Sequence, residues 1–281
     1  MKHRTLAVLL DFALRGAAGL VLASPVVAAI ASTGIPRFPE GDRLLFEPGG
    51  LMLVEVARAL WSAAMPLVRA ELVTGLLLGM VLLVPYSLVL VALERRAGTA
   101  GELWGEAITR VPPLLALHGL ALLTQGGAIL AAVALALELR EGLVGATSRG
   151  ADLVAALVLL LGALLVLALA VFRDLASAAC VQGSVRSNEA LARGFSTLRR
   201  APGRVLRGWV GPLAAVVGLL VAGAWLTGRV DVSRAGAWRI GVVLVVHQAV
   251  LFARSVCRAW WLGKALVLVS PQLPTGSSAR R

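Results

Sequence analysis

The sequence predicts an all-α protein, a polytopic transmembrane helical bundle of about six spans with short amphipathic interfacial helices. Three observations lead there: an apolar excess, charge-free stretches of membrane length, and a one-sided distribution of Lys and Arg. Of 281 residues, 59% are hydrophobic and 15% charged, with a mean hydropathy of +0.87. An average soluble domain has roughly 45–50% apolar and about 25% charged residues. A helix crossing hydrocarbon about 30 Å thick needs about 20 residues, at 1.5 Å each, free of uncompensated charge. Five charge-free stretches meet that length: Gly16–Pro36, Leu72–Leu93, Val111–Leu137, Leu153–Phe172 and Gly208–Gly228. A sixth, Ile240–Ala253, has only 14 residues. It spans when extended toward Ala235 with Arg239 snorkelling beside Trp238, the alternative being a re-entrant or interfacial segment. The chain is thus one membrane domain, 1–281, with spans near 14–34, 71–93, 112–137, 152–173, 208–228 and 236–254.

The first span follows Met1-Lys2-His3-Arg4. Asp11 and Arg15 interrupt the apolar core that a cleaved signal peptide would need, so the segment reads as a retained anchor. Four residues apart on one helix, these two neutralise each other as an ion pair. The segment 36–69 comes next and is the longest on its side of the membrane. Pro36, Pro39, Gly41, Pro48, Gly49 and Gly50 break regular structure at its start. From Leu51 to Arg69, Glu55, Arg58, Ser62 and Arg69 recur at helical spacing against Leu51, Val54, Leu60, Trp61 and Leu67. That pattern predicts an amphipathic helix on the outer interface, broken from the second span near Pro66. In the spans, Gly75 and Gly79 form a small-xxx-small pair, and Pro25, Pro85 and Pro212 are candidate kinks.

Orientation follows from charge. The N-terminus and the segments near 94–110, 173–207 and 254–281 hold 18 Lys/Arg against six acids; the opposite side holds nine against nine. Cytoplasmic loops carry such an excess, which places both termini in the cytoplasm and explains the net charge of +12 without a nucleic-acid partner. The expected partners are the bilayer, anionic inner-leaflet lipids and a membrane protein. The tail 271–281 reads as flexible.

The cytoplasmic segments show a weak internal repeat. Glu94-Arg95-Arg96, a Gly-containing elbow and Glu102–Arg110 lead to Pro112-Pro113 and the third span. Arg173-Asp174, an elbow at Gln182-Gly183-Ser184 and Glu189–Arg200 lead to Pro202-Gly203 and the fifth. Arg258–Lys264 is a third copy. Each unit predicts a short amphipathic helix closed by a proline where its missing N–H costs little. In the second copy, within 184–203, Leu191, Phe195 and Leu198 form an apolar stripe while Arg193, Arg199 and Arg200 face headgroups.

On Asp174-Leu175-Ala176-Ser177-Ala178-Ala179, followed by Ala190-Leu191, Gly194 and Arg199-Arg200-Ala201-Pro202, the chain resembles a broad group of uncharacterised bacterial six-helix membrane proteins. It is similar to the membrane domain attached to some glycerophosphodiester phosphodiesterases, over roughly residues 150–265. The resemblance implies a membrane location and a six-helix topology. It implies no catalytic residue, and with no hydrolase domain in this sequence the phosphodiesterase activity is not carried over.

Ionisable residues in spans are functional candidates because they are costly there. His118 and His247 each lie about seven residues inside the cytoplasmic end of a span. With Thr124, Gln125 and Gln248 they form a candidate polar pocket, the alternative being two core histidines. Asp174, where the fourth span emerges beside Arg173, needs a cation or hydrogen-bond donor. Arg254 and Arg258, four apart on one helix face, are the expected partners, with Arg173 and Arg186 as local competitors. Two cysteines, Cys180 and Cys257, imply no disulfide framework. No zincin, nucleophile-elbow or phosphate-loop motif occurs, so the sequence predicts no cofactor, no metal and no catalytic residue. Two classes stay open: a non-catalytic scaffold, assembly or lipid-interacting component of the cytoplasmic membrane, and a permease-like transporter of a small solute.

Overall fold

The computed structural model describes residues 2–32, 51–95, 99–142, 148–183, 186–230 and 237–270. Residues 33–50 of the predicted outer segment and the tail 271–281 lie outside the described residues, as do the side chains of Leu51, Val54, Glu55, Leu60 and Ser62. The protein is all-α. Its elements are α1 (Lys2–Ser32), α2 (Leu51–Val81), α3 (Leu83–Glu94), α4 (Ala100–Gly142), α5 (Ser148–Val181), α6 (Ser187–Arg200), α7 (Pro202–Gly228) and α8 (Ala237–Val269). Among the described residues six helices are long and apolar enough to cross a membrane, the second being α2 and α3 taken together over Ala64–Glu94.

Local chemistry explains several boundaries. Pro25 cannot donate to the carbonyl of Val21; the hydroxyl of Ser24 donates to that oxygen instead at 2.8 Å, and α1 runs on unbroken. α4 begins with a reciprocal capping box, Thr99 N–H to Glu102 Oε2 at 3.0 Å and Glu102 N–H to Thr99 Oγ1 at 3.3 Å. α5 stops at Gly183, whose φ of +106° suits only a residue without a Cβ.

Three expectations are corrected. α2 is continuous through Pro66, so the amphipathic stretch is not a separate helix; Arg58, Trp61 and Arg69 are exposed on it. The interruption falls at Leu82, just before Pro85, which lies in the first turn of α3 where a missing N–H is harmless. Of the three repeat copies only the second is a discrete helix, α6. The first is the opening of α4, continuous through Pro112 and Pro113, and the third is the uninterrupted end of α8. Ala201 makes the difference in the second copy: its φ of −142° and ψ of 53° leave the helical region, and Pro202 then opens α7. The sixth segment is also longer than its apolar core, since α8 carries Arg254, Arg258 and Lys264 within one helix of 33 residues.

The chain divides into two compact units. The first comprises Met1–Val89 and Leu213–Arg258. In it α1 packs against α2, Phe12 meets Phe252 edge to face at 5.4 Å, and a Cβ on Gly223 would stand 2.8 Å from Val250. Asp11 is buried and accepts from Arg15 Nε at 2.7 Å. Among the described residues nothing lies within 4 Å of a Cβ on Gly79, and Leu22, at 4.0 Å, is what reaches one on Gly75. The second unit comprises Leu90–Pro212 and Ala259–Arg281. There α4 packs on α5, with Gly162 against Ala132, and α6 packs on α5 and α4. Its fully buried side chains include Leu90, Val91, Leu114, Leu175, Val181 and Leu262.

Candidate functional site

The second unit gathers its polar side chains where α5 ends. Asp174 is 7% exposed. Its Oδ1 accepts from Arg173 Nη2 at 2.9 Å and Nε at 3.2 Å, and its Oδ2 from the indole Nε1 of Trp261 at 3.0 Å. The cation on Asp174 is therefore its neighbour Arg173, and the second donor is an aromatic N–H on α8. Arg254 and Arg258 belong to the other unit, where Arg254 is exposed and Arg258 lies 5.0 Å over the ring of Tyr86. The carboxylate is thus satisfied at both oxygens, which is what holds a charge in a packed setting.

Beyond Asp174, α5 carries Ala176, Ala178 and Ala179, all buried. Small side chains there let α6 approach closely. Ala190 and Gly194 are the buried residues of α6, and a Cβ on Gly194 would stand 3.0 Å from the backbone nitrogen of Ala176. The face of α6 that meets protein is thus the small-residue one. The predicted apolar stripe is not buried: Phe195 is exposed and Leu191 and Leu198 are half-buried. Ser187 Oγ donates to the carbonyl of Pro113 at 3.2 Å, tying the start of α6 to α4. The guanidinium of Arg110 bonds the carbonyl of Cys180 and the carboxylate of Glu106, which also lies 2.6 Å from Arg95.

So seated, α6 lines a cavity of about 550 Å³ with Arg193, Ser196, Thr197 and Arg200. These four recur at i, i+3, i+4 and i+7, one continuous helical stripe. Ala201, Arg204 of α7, and Leu268 and Val269 at the end of α8 with Ser270 after them, make up the rest of the described lining, and none of these residues is acidic. The α8 wall is anchored by Gln182, whose Nε2 donates to the carbonyl of Leu266 at 2.7 Å and to Ser270 Oγ at 2.8 Å. Ser196 and Thr197 each donate their hydroxyl to the carbonyl of Arg193 at 2.9 Å, so the donors left for a ligand are the guanidinium N–H groups. The cavity is suited to an anion, by charge and by hydrogen bonding.

The remaining candidates do not join it. His118 Nδ1 lies 3.0 Å from the carbonyl of Leu114 on its own helix, and Thr124 donates to Leu120 and Ala121. Gln125 is half-buried, while His247 and Gln248 are exposed on α8. His118 lies in the second unit and His247 in the first. Among the described residues no three His, Cys, Asp or Glu side chains converge. Ser196, Thr197 and Arg204 escaped the sequence reading, which sorted α6 by its bulky residues; the stripe spacing from Arg193 to Arg200 was the available signal.

With the geometry in view, comparisons with protein-family models, curated proteins and solved structures find no match to this chain.

Proposed function

We propose that the protein is a non-catalytic component of a bacterial cytoplasmic membrane, a scaffold or assembly element that engages anionic lipids of the inner leaflet, with both termini in the cytoplasm. One observation carries the reading: α6 is fastened to α5 at Gly194, with Ala190 also buried, while Arg193 and Arg200 stay exposed and no acidic residue is among the described residues lining their cavity. A basic surface held rigidly at a helix elbow gains about 1 kcal/mol per Lys or Arg near an anionic leaflet. The 18-to-9 division of Lys and Arg supports the same orientation. So does the resemblance over residues 150–265, which implies a six-helix membrane protein. Such a role needs no catalytic constellation, only a stable span set and a fixed basic face.

Reporter fusions after residues 98, 145, 195 and 281 test the orientation and should read in, out, in and in. A C-terminal reporter facing outward would put the end of α8 on the wrong side and remove α6 or the C-terminus from the anionic leaflet. The lipid part is tested by an inventory of lipids and proteins copurifying with the detergent-extracted chain. Enrichment of anionic over zwitterionic lipid is the expected result; a lipid profile equal to that of the bulk membrane would overturn it.

A further inference from the structure

We propose that the cavity between α6, the start of α7 and the last turn of α8 is a specific site for the phosphate group of an anionic lipid, gripped by Arg193, Arg200 and Arg204. This rests on the reading above and goes further, from a basic surface to a defined site. Positive charge converges on the cavity from two directions. Arg193 and Arg200 stand on one stripe of α6, and Arg204 lies in the first turn of α7, which contains no acid. A cation at a helix N-terminus is opposed by the positive end of the helix dipole, and three neighbouring guanidinium groups repel one another. A bound anion removes both penalties. Phosphate is the group that the arrangement fits best, because planar guanidinium forks bond its oxygens in pairs.

The walls argue for a lipid as the source of the phosphate. Leu268 and the buried Val269 line the same cavity as the arginines, so it joins cationic groups to apolar ones. Inorganic phosphate would leave the apolar wall uncovered, whereas a glycerophospholipid brings a glycerol backbone and acyl chains with its phosphate. The site is also preformed: Gly194 on Ala176 fixes the α6 wall, and Gln182 fixes the α8 wall. Little ordering is left to oppose binding.

The test uses the full chain in nanodiscs of phosphatidylcholine doped with phosphatidic acid, reading lipid-dependent thermal stabilisation and bound lipid by native mass spectrometry. Two paired variants remove equal charge: Arg193→Gln/Arg200→Gln within the cavity, and Arg199→Gln/Arg207→Gln, exposed and outside its lining. The cavity pair should weaken phosphatidic acid binding at least tenfold, adding Arg204→Gln should abolish retention, and the outer pair should stay within about twofold of the parent. Arg193→Lys/Arg200→Lys keeps the charge and loses the fork, so it should fall between. Equal losses for the two pairs would overturn the site while leaving a diffuse basic surface, and no preference for phosphatidic acid in the parent would overturn both. Millimolar glycerol 3-phosphate or inorganic phosphate should fail to displace the lipid. Displacement by either would reassign the cavity to a soluble phosphate compound and overturn the lipid assignment.

Discussion

The two halves of α5 lie on one unbroken helix and are physically unlike. From Leu153 to Leu165 its leucines stand out from the protein, Leu160 at 56% and Leu161 at 57% exposed. From Leu175 to Val181 every residue is buried. In the first half any large aliphatic side chain serves, since acyl chains accommodate its shape. In the second half alanine, serine and cysteine predominate, Ala176 meets Gly194 of α6 and Asp174 meets Trp261 of α8, and the side chain present is determined by its neighbour. Hydrophobicity positions the helix in the bilayer, and small side chains with one satisfied carboxylate specify what packs on it.

The largest effect should separate those halves directly. Leu175→Ala or Leu262→Ala should lower stability by about 2–5 kcal/mol, the usual cost of a cavity in a close-packed core. Leu160→Ala should cost under about 1 kcal/mol, as a substitution away from packed protein does. Thermal melts in detergent or nanodiscs measure both, and an equal loss at Leu160 would mean that the exposed half is packed after all.

A smaller effect probes the close approach itself. Gly194→Leu forces a side chain into the backbone of Ala176 and should cost about 1–3 kcal/mol, the range for overpacking. Gly127→Leu, on α4 with nothing within 4 Å of its Cβ, is the neutral control. Rapid proteolysis at the Gln182–Ser187 elbow in the Gly194 variant would show that α6 has come loose; unchanged protection would show that the contact is dispensable.

Next comes the carboxylate. Trp261→Phe removes the donor to Asp174 Oδ2 and should cost about 1–3 kcal/mol by leaving a buried acceptor unpaired. Asp174→Ala combined with Trp261→Phe should then cost less than the two alone. The same cycle with Arg173→Ala apportions the carboxylate between its two partners, and strict additivity with Trp261 would remove the indole from the account.

The smallest effect should come from the histidines. His118→Ala with His247→Ala should leave expression intact and lower stability by no more than about 2 kcal/mol, the loss of a helix-carbonyl contact at His118. Metal analysis of purified protein should find substoichiometric zinc and iron in parent and variant alike. A stoichiometric metal lost in the double variant would make the two histidines metal ligands.

How much was legible varies with the distance over which each property acts. The Asp11 and Arg15 pair lies within one helical turn, and the sequence shows it. Of the two partners of Asp174, Arg173 is its neighbour and was among the cations the sequence offered, while Trp261 is 87 positions away in the chain. Arg254 and Arg258, preferred by charge, are not used, and no charge pattern reveals the indole N–H. The short helix 187–200 was legible from its charge and periodicity, but its buried face was not. The sequence shows an apolar stripe of Leu191, Phe195 and Leu198 opposite arginines, and this does not say which residues meet protein; the fold buries Ala190 and Gly194, because the surface they meet is itself built of small residues.

By itself the sequence determined that this is an all-α chain with six membrane-length helices, because transfer into hydrocarbon sums over some 20 consecutive residues and needs no knowledge of neighbours. Tertiary structure alone decided which proline ends a helix, which face of α6 is covered, which donors hold Asp174, and that three arginines from two helices meet around one cavity with the apolar end of a third. Those outcomes depend on pairs of residues far apart in the chain, and on whether a Cβ fits between two backbones, quantities that exist only once the helices are in contact.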